Sequence, residues 1–223
     1  MKNILLPLLG LTCLLLGSFP AQARGIERGD QTVSVFFGGA VSVSGSEIEV
    51  EAPWGTTSAV SILDGAVSYG AQYLYAVNPY LSIGAEFNAN NFESTTDRIW
   101  GSSYEETINS KTDVYSLFAA GRLTANPSHS VRLYLPFGLG LAAAKNSMSA
   151  HIAGVGSNSG SDTHYSFIYY AGLGLEGSLT QDWILGLEMR YSQFVLDTSQ
   201  LVKNGGDEYF SFLAFMLKLS YRF

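Results

Sequence analysis

Three side chains in the second half of the chain come closest to a hydrolytic set: His164, Ser166 and Glu176. A histidine draws the proton from a serine hydroxyl when a carboxylate orients its ring, and the serine oxygen then attacks an acyl carbon. The spacing argues against that assembly. His164 and Ser166 share one side of an extended chain, but Glu176 lies ten residues beyond Ser166. That is about 33 Å at ~3.3 Å per residue, so only a bend would bring it back. His129 and His151 fall in a predicted turn and a predicted loop, where solvation is the simpler role. Cys13 is the one cysteine and sits in an apolar N-terminal run. The rest of the chain therefore has no thiol nucleophile, disulfide or cysteine metal site. No catalytic residue, metal site or cofactor emerges, and an enzyme is not expected.

A larger ionisable set has a different logic. Asp64, Glu86, Glu176 and Glu188, with Arg122, Arg132, Arg190, Lys218 and Arg222, all occupy the less apolar parity of stretches whose other parity is strongly apolar. Strict period two makes a two-faced sheet. Eight such stretches can be drawn: 31–43, 62–77, 80–90, 112–125, 131–145, 164–179, 183–196 and 208–223. Their connections alternate between tight turns (78–79, 126–130, 180–182) and long polar segments (44–61, 92–111, 146–163, 197–207). Short turns at one end and long loops at the other are the asymmetry of an outer-membrane barrel.

The apolar parity carries Val33, Val35 and Phe37 in the first stretch, Leu133 to Leu141 at every second residue in the fifth, and Leu213, Phe215, Leu217, Leu219, Tyr221 and Phe223 in the last. The opposite parity carries Ser34, Gly38, Ala40, Ser68, Gly70, Gln72, Gly138, Gly140, Gly172 and Gly174. Small residues fit the crowded inside of a narrow barrel. Three features place the apolar face outside. The stretches run about 11 to 16 residues, where ~9–11 already span a bilayer. The other parity is built of Gly, Ala and Ser rather than the Lys, Glu and Thr of a watered surface. Tyr75, Tyr80, Trp183, Tyr221 and Phe223 gather at the short-turn end, as an interfacial girdle does. The expected fold is all-β, an eight-stranded antiparallel transmembrane barrel with short periplasmic turns and long extracellular loops.

The N-terminus fits export. Met1-Lys2-Asn3 gives a positive start, 4–19 is an apolar run rich in leucine, and Ala21-Gln22-Ala23 has the small-x-small pattern of a cleavage site. Residues 1–23 are read as a signal peptide and 24–223 as one barrel domain. Charged residues are 14% of the chain, against roughly 25% in soluble domains. The formal net charge of -7 argues against nucleic-acid binding.

The Gly-rich strands, Tyr191 in the seventh stretch and the aromatic ending resemble the small OmpA/OmpX-like outer-membrane β-barrel family, a porin family of Gram-negative bacteria. The resemblance implies a bacterial outer-membrane location and contact with outer-membrane lipids and lipopolysaccharide. It also implies recognition of Tyr221 and Phe223 as an assembly signal by the barrel-assembly machinery. No peptidoglycan-binding domain follows the last strand here, so a cell-wall tether is not implied.

Inside the barrel, Glu86, Arg122, Glu176, Glu188, Arg190 and Lys218 are expected to pair, since isolated charges there are costly. Counted from the turns, Glu86, Arg122, Glu176, Glu188 and Lys218 fall at similar lower-middle heights, with Arg132 and Arg222 near the rim. The set reads as a plug, with a charge-selective pore as the alternative. Above it, Val114, Ile168, Tyr170, Phe194, Phe210 and Phe212 keep the inward parity. They either pack the barrel or line a vestibule for a small hydrophobic molecule, an arrangement that resembles OmpW-like barrels.

His164, Ser166 and Glu176 also resemble the His-x-Ser plus Glu pattern of lipid A 3-O-deacylases, without that motif's flanking Phe and Asn and with all three directed into the lumen. The long loops carry Glu47, Glu49 and Glu51, then Glu93, Asp97, Glu105 and Glu106 against Arg98 and Lys111. The alternating 47–51 stretch is read as an extension of the barrel wall. The expected role is structural or surface-interactive: envelope integrity, adhesion or contact with a host or surface protein through these loops. A channel or binding protein for small hydrophobic molecules and a lipid A-modifying enzyme are the alternatives, in that order.

Overall fold

The structure is a computed structural model that describes residues 24–44, 47–51, 57–61, 65–100, 104–152, 156–197 and 207–223. The expected signal peptide, 1–23, and the Asp64 position lie outside the described residues.

The described residues form ten strands: β1 (Gln31–Ser44), β2 (Glu47–Glu51), β3 (Thr57–Ser61), β4 (Gly65–Asn78), β5 (Leu81–Trp100), β6 (Tyr104–Thr124), β7 (Val131–Ile152), β8 (Gly156–Ser178), β9 (Trp183–Asp197) and β10 (Asp207–Arg222). Eight of them close into a barrel in the order β1-β10-β9-β8-β7-β6-β5-β4, with β2 and β3 apart as a two-stranded sheet. All neighbours are antiparallel. Closure pairs β1 with β10, and at the foot of that seam Gln31 and Phe223 exchange two backbone hydrogen bonds of 3.1 and 3.0 Å.

Short polar side chains stitch the tight turns. Asn78 Oδ1 accepts from the backbone N–H of Tyr80 and Leu81 at 2.8 and 2.9 Å. Asn126 accepts from the Leu133 N–H at 2.9 Å and donates to the Val131 carbonyl at 2.8 Å. Thr180 Oγ1 accepts from the Asp182 and Trp183 N–H groups. Such residues hold reversals because their side chains stand in for a backbone partner.

Odd-numbered residues of the barrel strands face outward. Phe37 is 64% exposed and Leu139 62%, a surface that only an apolar surrounding stabilises over so many neighbours. Even-numbered residues fill the lumen, where Phe36, Tyr134, Arg190 and Lys218 are buried. Glycine matters where a ring crosses the lumen floor. A β-carbon on Gly174 would overlap the Tyr134 ring, which lies flat on it.

Two expectations about the long segments are corrected. Segments 92–111 and 146–163, read as loops, are mostly strand: β5, β6, β7 and β8 run 20, 21, 22 and 23 residues, against 14, 14, 15 and 16 for β1, β4, β9 and β10. Among the described residues, the β4–β5 ladder ends at Gly65↔Glu93 and the β8–β9 ladder at Ile168↔Phe194. Above those levels β5–β8 continue as a four-stranded sheet. Backbone pairing goes on after the hydropathy pattern stops, because outward positions such as Asn91, Lys111, Asp113 and Lys145 need no apolar side chain beyond the lipid. The Glu47–Glu51 stretch does not extend the barrel wall; it pairs with Thr57–Ser61 as a hairpin within the first loop.

Candidate functional site

The inward charges form two linked clusters. In the lower one Glu176 of β8 accepts from Arg122 Nη1 of β6 and Arg132 Nε of β7, each at 2.8 Å. Arg132 Nη2 also donates to Ser178 Oγ at 3.3 Å. In the upper one Arg190 of β9 grips Glu86 of β5 with both terminal nitrogens and gives its Nε to Glu188. Gln72 of β4 donates to Glu86 at 2.6 Å, and Lys218 of β10 donates to Gln72 at 2.5 Å and to Glu188 at 3.5 Å.

Two tyrosines join the layers. Tyr134 donates to Glu188 at 2.8 Å while its ring receives the Arg122 guanidinium at 5.3 Å and the Lys218 ammonium at 5.8 Å. Tyr170 donates to Glu86 at 3.1 Å and lies 4.3 Å under the Arg190 guanidinium. Seven of the eight barrel strands contribute a hydrogen-bonding group, and Phe36 of β1 adds a ring 5.0 Å from Arg190. Each acid has at least two partners, the condition under which buried charge is tolerated.

The sequence reading placed Glu86, Arg122, Glu176, Glu188 and Lys218 at one height; the structure separates Glu176 and Arg122 from the others. Arg132, expected near the periplasmic rim, is a partner of Glu176. Tyr134 was not singled out, although its even number on β7 was the available signal. Gly174→Val should displace the Tyr134 ring from Glu188 and destabilise the barrel by about 1–3 kcal/mol through overpacking, read as a lower urea midpoint for folding into vesicles.

Val114, Ile168, Phe194, Phe210 and Phe212 come together higher in the lumen with Phe92, Phe118 and Met216, every one of them buried. Phe194 stacks on Phe210 at 5.8 Å, and Phe92 meets Phe212 edge-on at 5.5 Å. Tyr170 belongs to this layer by its contact with Phe118 at 4.8 Å and to the charged layer by its hydroxyl. A polar wall of Ser68, Asn88, Asn90 and Ser116 faces the same space, with Asn90 donating to Asn88 at 2.7 Å. The sequence placed Ser68 on the inward parity, while Asn88, Asn90 and Ser116 share that even numbering without having been singled out.

His164 and Ser166 sit on β8 opposite Ala144 and Ala142, while Glu176 sits opposite Arg132 near the other end of the strand. The structure does not bring the three together. Tyr221 and Phe223 face outward at the periplasmic foot, where Tyr221 contacts Trp183 at 5.1 Å and Phe223 at 6.2 Å.

Residues 9–223 match the family model described as outer membrane protein beta-barrel domain. No curated protein matches the chain. Among solved structures, OprG from Pseudomonas aeruginosa aligns at 12% identity and a TM-score of 0.55, covering 91% of this chain and 99% of that one. Ail, the attachment invasion locus protein of Yersinia pestis, solved with the heparin analogue sucrose octasulfate, aligns at 18% identity and 0.46, covering 88% and 99%. Neisserial surface protein A aligns at 13% identity and 0.49, covering 88% and 100%. At these identities the likeness bears on the fold alone.

Proposed function

The chain belongs to the outer membrane protein β-barrel domain family and so to the bacterial outer membrane, and from that premise we propose that it is a closed, non-catalytic scaffold that presents an extracellular sheet to an external protein. One observation carries this reading: β5–β8 outrun their neighbours on both flanks and stand above the lipid-facing belt as a four-stranded wall. Elements that project from a rigid barrel are where binding concentrates. The ion-paired lumen supports the absence of a pore, since eight strands leave little room beyond their own side chains. The belt of outward apolar residues lies against outer-membrane lipids and lipopolysaccharide, and Tyr221 and Phe223 serve the barrel-assembly machinery.

Replacing 95–107 and 147–161 with tight turns tests the proposal. The trimmed barrel should keep its heat-modifiable gel mobility and lose adherence to target cells. Adherence that survives trimming would overturn it. The full chain should show no large, steady conductance across a planar bilayer. A second reading, a site for small hydrophobic molecules, is favoured by the aromatic layer and is tested by the Phe194 and Phe212 variants discussed below.

A further inference from the structure

Residues 24–30 leave the foot of β1 and cross the periplasmic end of the barrel. Gly29 donates its N–H to the Ala76 carbonyl on adjacent β4 at 2.9 Å, and Asp30 accepts from the Ala76 N–H at 2.8 Å. Ile26, buried, donates to the Pro127 carbonyl at 3.0 Å in the turn between β6 and β7, on the opposite side of the ring. Two buried arginines hold the crossing from above. Arg222 donates to the carbonyls of Gly25 (3.0 Å), Arg24 (2.8 Å) and Gln181 (2.9 Å). Arg132 reaches the Arg24 carbonyl at 3.5 Å.

Asp30 closes the segment on itself. Its carboxylate accepts from the Arg24 guanidinium at 2.6 Å and from the Glu27 N–H at 2.9 Å, and it lies 3.9 Å from Arg222. Gly29 allows the reversal with φ of 96°, a conformation costly for other residues. Between this segment and the ion pairs lie Thr32, Ser34, Ser82, Thr124, Ser178 and Ser220, buried hydroxyls from five strands, with Ser34 and Ser220 2.8 Å apart.

We propose that residues 24–30 form a releasable strap that closes the lumen to the periplasm, and that its departure opens the hydroxyl-lined floor to water. The strap lacks the continuous ladder that holds each barrel strand. It is tied at a few backbone points, by the Arg222 and Arg132 bonds to its carbonyls and by the charge-assisted bonds that converge on Asp30, at a rim where water can replace each one. Segments held this way open at lower free energy than the sheets they rest on.

The geometry supplies a lock. A β-carbon on Gly25 would stand 4.0 Å from that of Ser128, within the ~3.5–4.5 Å a disulfide requires, and 3.3 Å from the Ser128 α-carbon, so the β6–β7 turn must yield by a few tenths of an ångström to accept the bridge. In a Cys13→Ser background, which leaves no other thiol, Ser220→Cys reports the floor by its rate of reaction with a small methanethiosulfonate in the folded, vesicle-inserted chain. Asp30→Asn should raise that rate at least tenfold. Adding Gly25→Cys and Ser128→Cys, oxidised before labelling, should return it to the starting value. Arg24→Gln is the milder releasing variant should Asp30→Asn lose its heat-modifiable mobility. An unchanged rate in a folded releasing variant, or one that the disulfide fails to slow, would sink the strap.

Discussion

Arg190→Leu should destabilise the barrel by about 3–5 kcal/mol, the cost of removing one partner from a buried ion pair. The leucine takes away three charge-assisted bonds at once and leaves the Glu86 and Glu188 carboxylates facing each other across the lumen. Gln72 and Tyr170 remain on Glu86, and Tyr134 and Lys218 on Glu188. None of them supplies the planar fork that spans both acids. Arg190→Lys keeps the charge without the fork and should fall between wild type and leucine. Equilibrium folding into vesicles, followed by tryptophan fluorescence against urea, reads the difference. Glu93→Gln is the control: its Lys111 pair of 3.5 Å is exposed on both sides, and the change should stay within about 0.5 kcal/mol. Equal losses from both variants would mean that the lumen pairs do not brace the barrel.

Phe194→Ala should cost about 3–5 kcal/mol, as expected when a buried ring is deleted from a packed layer. Phe212→Ala should cost a similar amount. The double variant should lose less than the sum, because the two rings already meet at 6.4 Å and would empty one shared space. That space, lined by Ile168, Phe210 and Phe92, should then take up a small aromatic such as benzene, as dry apolar cavities do, and recover stability in its presence. A native site for aliphatic molecules predicts the reverse order. Wild type would bind an aliphatic probe, and the alanine variants would lose that binding while folding normally. Stability and probe binding measured on the same samples separate the two readings.

The barrel was legible because lipid imposes a rule at every second residue. Val33, Leu135 and Leu217 had to be apolar, and their neighbours had to fit the lumen. Where that demand ends, the signal ends with it. The upper halves of β5–β8 read as loops because Asn91, Asp113 and Lys145 are as acceptable on a watered strand as in a coil. The parity of the inward charges could be read from numbering, but not their partners. Whether Arg122 reaches Glu176 or Glu188 depends on strand stagger across the lumen, which no local pattern encodes. The strap was invisible for a related reason. Residues 24–30 have no periodicity, and their places come from carbonyls on β4, the β6–β7 turn and the two arginines.

The unequal heights of the strands give the molecule a front and a back within the plane of the membrane. Among the described residues, the barrel strands on the β1, β9 and β10 side end lower, and the tall sheet stands across the barrel from them. From the β6 and β7 side the tall sheet itself is met first. Spinning about the membrane normal therefore changes what the cell displays, and crowding by neighbouring proteins on one flank would mask one aspect while leaving the other open.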